Sequence, residues 1–184
     1  MPTVKKSNGV GRVFLIGFSG SGKSTVGPLL AQKLGYSFID TDESVARKER
    51  MSIPEIFAEK GERYFRRLEE AAIRAAVAKS RRAVISLGGG ALLRSNVRRL
   101  VQQEGTVVYL SCSAREVHRR LQTATDRPLL LNKGPRSERI AALVTARRPI
   151  YVRVADVIVS TTRHTPKVVA ATIISKLGRL ADAH

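Results

Sequence analysis

Short, mostly apolar runs recur along the chain at 12–17 (RVFLIG), 36–39 (YSFI), 83–87 (AVISL), 106–111 (TVVYLS) and 155–160 (ADVIVS). Runs of this length and composition read as buried strands. Helical patterns fill the spaces between them. One covers 23–34 and stops at Gly35, and a second covers 43–50. A third opens at Ser52, where Glu55 completes a capping box around Pro54, and continues to about residue 79 with a break near Gly61. Further helices are predicted over 95–105, from the Ser113–Glu116 cap to about Leu121, and over about 136–153. Thr165 and Pro166 open the last one. Strands alternating with helices predict an α/β fold with a five-stranded parallel sheet flanked by helices. Ligands of such sheets sit beyond the carboxyl ends of the strands.

The loop after the first strand carries the first chemistry. Gly17-x-x-x-x-Gly22-Lys23-Ser24 lies between a strand and a helix, the setting a phosphate-binding loop requires. Glycines let backbone N–H groups turn toward phosphate oxygens, and the helix N-terminus adds partial positive charge. Lys23 reaches the β- and γ-phosphates, and the Ser24 hydroxyl is a ligand for Mg²⁺. Nucleotide contact is predicted for Gly20, Ser21, Gly22, Lys23, Ser24 and Thr25. This makes the fold of the P-loop NTPase type, with a nucleotide and Mg²⁺ expected at the loop; ATP as that nucleotide is what the family resemblance given below implies.

Two further clusters lie at strand ends. FIDTD at 38–42 places Asp40 and Asp42 on one side of an extended chain, suited to Mg²⁺ and to activating an acceptor hydroxyl. Aspartate also caps helices, so Asp42 has that second reading. Gly88, Gly89 and Gly90 follow the third strand, where they admit a ligand closely or simply form a turn. The segment 123–135 (TATDRPLLLNKGP) is turn-rich and is predicted to be mobile; that it is a lid is what the family resemblance given below implies.

Composition narrows the setting. At 184 residues with 43% apolar content, the chain suits a single domain, read as 11–180 behind a basic lead-in over 1–10. One cysteine, Cys112, excludes an internal disulfide, and no run approaches the ~18 apolar residues of a membrane span. A cytoplasmic monomer without membrane association is expected. The net charge of +18 invites anionic partners. The arginines are spread out, however, and Trp is absent, so solvated helix faces are favoured over nucleic-acid binding.

Taken together, these motifs resemble the shikimate kinase family. The resemblance runs from about residue 12 to 178. It rests on GFSGSGKSTVG at 17–27, FIDTD at 38–42, SIPEIFAEKGERYFRRLEE at 52–70, SLGGGALL at 86–93, DRPLL at 126–130 and RRPIYVRVAD at 147–156. It implies transfer of the γ-phosphoryl group of ATP to the 3-hydroxyl of shikimate, on the way to aromatic amino acids. By the resemblance, Asp42 binds the acceptor hydroxyls and is the candidate base, and Asp40 helps hold the Mg²⁺ shell. Arg66 and Arg147 grip the substrate carboxylate with forked hydrogen bonds that lysine does not imitate. The glycines at 88–90 line the ring, and Phe57 and Phe65 pack against it. Arg127 is the lid arginine that closes on the phosphates. Arg120 and the Thr165–Pro166 turn flank adenine, with His164 touching the nucleotide. Ser19 departs from the methionine common in the family. A related small-molecule kinase, such as a gluconate kinase, and a basic nucleic-acid-binding NTPase are the alternatives.

Overall fold

A computed structural model describes residues 11–122 and 135–182. The lead-in over 1–10 and residues 123–134, which include Arg127 and all but the last residue of the predicted lid over 123–135, lie outside the described residues. The chain runs β1 (Arg12–Ile16), α1 (Lys23–Leu34), β2 (Ser37–Asp40), α2 (Thr41–Glu49), α3 (Ile53–Lys79) and β3 (Ala83–Ser86). A 3₁₀ turn at Ala91–Leu93 follows, then α4 (Ser95–Glu104), β4 (Gly105–Ser111), α5 (Ala114–Arg120), α6 (Arg136–Val154), β5 (Val157–Ser160) and α7 (Pro166–Asp182).

The five strands form one parallel sheet in the order β2-β3-β1-β4-β5. Side chains alternate across it. Phe14, Ile16, Ile85 and Tyr109 enter one core with Ile73 of α3 and Val97 and Val101 of α4. Val13, Leu15, Val84, Val108 and Leu110 enter the other with Leu30 of α1 and Ile173 of α7. β1 is central, and Val13, Phe14 and Leu15 are fully buried. The inner strands β1 and β3 are covered on both faces, which is why their runs are almost wholly apolar, whereas the edge strands β2 and β5 keep exposed positions such as Ser37 and Ser160.

Local signals set the helix ends. Ser52 and Glu55 form the reciprocal capping box of α3, and Gly61 breaks its helical geometry with φ 77. Ser113 caps α5 by accepting from the Glu116 N–H. Thr165 accepts from the Val168 N–H at the start of α7. Among the described residues, no helix is long and apolar enough to cross a membrane. The order reverses at β1, which has β3 on one side and β4 on the other. The crevice beyond its carboxyl end is where such a sheet binds ligands.

Candidate active site

The loop after β1 has the backbone its glycines permit. Gly20 and Gly22 take φ 78 and 97, a region that side-chain-bearing residues rarely occupy. Gly22 is the N-cap of α1, and no side chain caps that helix start. Its first N–H groups are thus presented toward the loop, where an anion gains most from the helix dipole. Lys23 is buried, and its Nζ donates to the carbonyls of Gly17 at 2.9 Å and Phe18 at 3.1 Å. The loop holds its own lysine in place.

A cleft of about 650 Å³ opens on one side of this loop. Gly22, Thr25, Arg120, His164 and Pro166 contribute to its walls. Arg120 also acts as a strut. It donates to the Gly20 carbonyl at 3.2 Å and the Thr161 carbonyl at 2.8 Å, tying the loop to the residue after β5. On the other side lies a pocket of about 330 Å³, lined by Ser19, Lys23, Asp40, Asp42 and Gly89 among others. Gly20 and Ser24 line both. Two cavities meeting across one phosphate-binding loop are what a reaction between two bound molecules needs.

Asp40 and Asp42 both line the smaller pocket, but not by strand alternation. β2 ends at Asp40, and Asp42 already belongs to α2. The capping role falls on Asp40, whose Oδ1 accepts from the N–H groups of Asp42 at 3.0 Å and Glu43 at 3.3 Å. Its Oδ2 accepts from Ser24 Oγ at 3.2 Å. The Asp40–Ser24 pair is therefore a set of hard oxygen donors beside the loop. Among the described residues, no cluster of three or more His, Cys, Asp or Glu could hold a metal alone. A Mg²⁺ carried by nucleotide phosphates needs only one or two protein oxygens, so the donor set fits that ion.

The glycine turn after β3 forms the far wall. Arg147 Nη1 and the Tyr151 hydroxyl both donate to the Gly89 carbonyl, at 3.1 and 2.5 Å. Arg66 approaches from α3: its Nη atoms stand 2.5 and 2.6 Å from the place a Cβ on Gly90 would occupy. A Cβ on Gly88 would collide with Glu69 Oε1 and Asp42 Oδ1. The turn is thus bare of side chains because charged groups crowd it from three helices. Arg66 donates to Glu62 Oε1 through Nε and Nη2, and to Glu69 Oε2 through Nη1 at 2.8 Å. The Glu69 carboxyl is raised to about 7 in balance: burial pushes it up most, Arg66 pulls it down, and the charge of Asp42 pushes it up.

Comparison with known proteins decides between the kinases this geometry admits. A family model described as shikimate kinase matches residues 19–178. The chain belongs to the shikimate kinase family. A shikimate kinase of Chlorobium limicola is 47% identical over 156 residues, covering 81% of this chain and 77% of the relative. A solved structure, shikimate kinase from Acinetobacter baumannii in complex with shikimate, superposes with a TM-score of 0.87 at 30% identity. That superposition covers 92% of this chain and 94% of the other. A gluconokinase from Sinorhizobium meliloti gives a TM-score of 0.54 at 19% identity over 94% of each chain, a likeness of fold alone.

The structure gathers most of the residues singled out in the sequence. Lys23, Ser24, Asp40, Asp42 and Gly89 line the smaller pocket, and Arg66 and Arg147 flank its glycine turn. Arg120 and His164 line the larger cleft. Phe57 and Phe65 stack on each other, with ring centroids 4.8 Å apart, in a cluster with Val45 and Ile56. From their segment it is Ser52, Ile53 and Pro54 that line the pocket. Two residues of this shikimate kinase family site escaped the sequence reading. Glu69 lies on the buried stripe of α3 that also carries Phe65, Ile73 and Ala76. A carboxylate at that spacing among apolar positions is the signal. Tyr151 stands one helical turn after Arg147 and shares its acceptor, a relation visible only once the glycine turn is placed.

Proposed function

We infer that the protein is an ATP-dependent shikimate kinase, which moves the γ-phosphoryl group of ATP to the 3-hydroxyl of shikimate. The observation that carries this reading is the meeting of the two cavities at Gly20 and Ser24, with Arg66 and Arg147 converging on the glycine turn of the smaller one. ATP is assigned to the larger cleft, with its phosphates on the loop amides and Lys23. Shikimate is assigned to the smaller pocket. Arg66 has five N–H bonds, and among the described residues three of them donate to Glu62 and Glu69. One N–H on each Nη remains, the fork a planar carboxylate accepts. Arg147 supplies the second cation. Asp42, across the pocket, is placed to receive the hydroxyl proton. Phe57 and Phe65 support the shikimate pocket through α3.

Phosphoryl transfer asks the protein mainly for alignment and charge stabilisation. Arg66, Arg147 and the glycine turn fix the acceptor, so its hydroxyl approaches along one line. Lys23 leaves the carbonyls of Gly17 and Phe18 for the phosphates, and offsets charge on the moving group. Ser24 and Asp40 would hold Mg²⁺, which when bound neutralises the β- and γ-phosphates. Arg127, outside the described residues, is assigned to the transferring group on the DRPLL motif alone. The reading includes one kinase domain over 11–180 acting as a monomer, with no nucleic-acid partner.

The test is ADP release by purified protein with shikimate, gluconate or AMP as acceptor. Strong stimulation by shikimate and little by the others is expected; a preference for gluconate or AMP sinks the acceptor assignment. A variant isolates the clamp. Arg66→Lys keeps the charge and loses the fork, so the KM for shikimate should rise roughly thirtyfold, about 2 kcal/mol for one charged hydrogen-bond partner. The KM for ATP should stay within twofold. A normal shikimate KM in this variant removes Arg66 from the site.

A further inference from the structure

Glu69 sits where a permanent negative charge is costly. Its side chain is 2% exposed. Oε2 accepts from Arg66, while Oε1 has no hydrogen-bond partner among the described residues. That oxygen and Asp42 Oδ1 both lie closer than 3.0 Å to one point, the place of a Cβ on Gly88. Two carboxylate oxygens therefore converge over the same glycine. An unpartnered buried acceptor beside another acceptor is resolved most simply by a proton between them.

The charges around Glu69 show when that proton is needed. On its own helix stand Arg66 and Glu62; from α2 comes Asp42; Arg94 follows the 3₁₀ turn; α6 contributes Arg147 and Tyr151. Arg66 already faces two carboxylates. Glu62 is 53% exposed and is free to swing into water when a third arrives. Glu69 has nowhere to go. It can only keep its charge against the newcomer or neutralise it.

We propose that docking of the substrate carboxylate on Arg66 and Arg147 is coupled to uptake of one proton from solvent by Glu69 Oε1, which then donates to Asp42 Oδ1. This rests on the shikimate kinase reading above and goes beyond it, by giving a buried carboxyl a specific protonation state in the substrate complex. Arg66 is released from one of its two glutamates to serve the substrate. Asp42 gains a neutral neighbour in place of a charged one. Glu69 is a positioning residue here, acting through Arg66 and Asp42. Its free-enzyme carboxyl, raised to about 7 by burial, is poised to change state near neutral pH. By linkage, substrate that favours the protonated form must bind more tightly as pH falls through that range.

Calorimetric titration of the full-length protein with shikimate, in phosphate and in Tris at pH 7.5, counts the protons. Roughly half a proton or more should be taken up per shikimate at pH 7.5, falling toward zero at pH 5.5 where Glu69 is already protonated. Glu69→Gln should bind shikimate with the proton count near zero at both pH values. Equal heats in the two buffers for the wild type overturn the proposal, as does undiminished uptake in Glu69→Gln. A second measurement needs no variant: with glutamate side-chain carboxyls labelled with ¹³C, the resonance that titrates near pH 7 should move to its protonated position on adding shikimate at pH 7.5. A resonance that stays at its ionised position overturns the proposal even if Glu69→Gln does not fold. Failure of the wild type to bind shikimate at all is a different result, which overturns the acceptor assignment and this coupling with it.

Discussion

Asp42→Asn is expected to lower kcat about a thousandfold, within the range a positioned general base contributes. Asp42 lines the smaller pocket, proposed above for the acceptor, beside Lys23, Ser24 and Asp40. Asparagine matches it in size and retains an oxygen but does not accept the hydroxyl proton. Neither the sheet nor the cap of α2 depends on its carboxylate, since Asp40 is the cap. The variant should therefore melt normally. Removing a negative charge beside Glu69 relieves repulsion and should not destabilise. The KM for ATP should hold, because the nucleotide cleft has other walls. Steady-state kinetics with a thermal melt check the prediction. A folded Asp42→Asn enzyme with kcat within threefold of wild type would leave Asp42 as a binding residue only.

The second large effect comes from a single methyl group. Gly88→Ala places a Cβ against Glu69 Oε1 and Asp42 Oδ1 at once. Glu69 is enclosed, so Asp42 or the backbone must shift. A displacement on the order of 1 Å at the reacting end costs about a hundredfold. We expect kcat/KM for shikimate to fall by at least that factor, with ATP binding retained. Gly178→Ala is the matched control: it lies in α7, and nothing stands within 4 Å of its added Cβ. That substitution should leave activity unchanged and raise stability by up to about 1 kcal/mol, the difference between alanine and glycine in a helix. Equal activities for the two variants would mean that the turn at Gly88 has slack the geometry does not show.

The parts of this molecule that could be read from its sequence are those whose causes are local. A strand buried in a parallel sheet is mostly apolar, so five short, mainly apolar runs announced five strands. The Ser52–Glu55 box and the Gly61 break act within a few residues of themselves, and both stand in the structure. The start of α2 was misplaced for a local reason too. The extended reading of FIDTD runs two residues too far, because Asp40 closes the strand and caps the helix in one step. What stayed hidden is relational. Glu69 gains its meaning from a glycine turn nineteen positions on and from Asp42 on another helix, and Tyr151 from a carbonyl brought to it by β3. Family resemblance named Arg66 and Arg147, but composition did not separate them from the other arginines of so basic a chain.

The placement of β1 has a consequence for synthesis. It precedes the four other described strands in the chain, yet it ends in the middle of the sheet. Its neighbours are not made until Ala83 and Gly105, so both edges of a strand that is apolar from Val13 to Ile16 stay open through much of translation. Such edges template pairing with other chains. Non-local parallel pairing also forms slowly. The phosphate-binding loop, encoded so early, is therefore among the last parts to take shape. A nascent chain cut short before β4 should be captured by chaperones rather than by nucleotide.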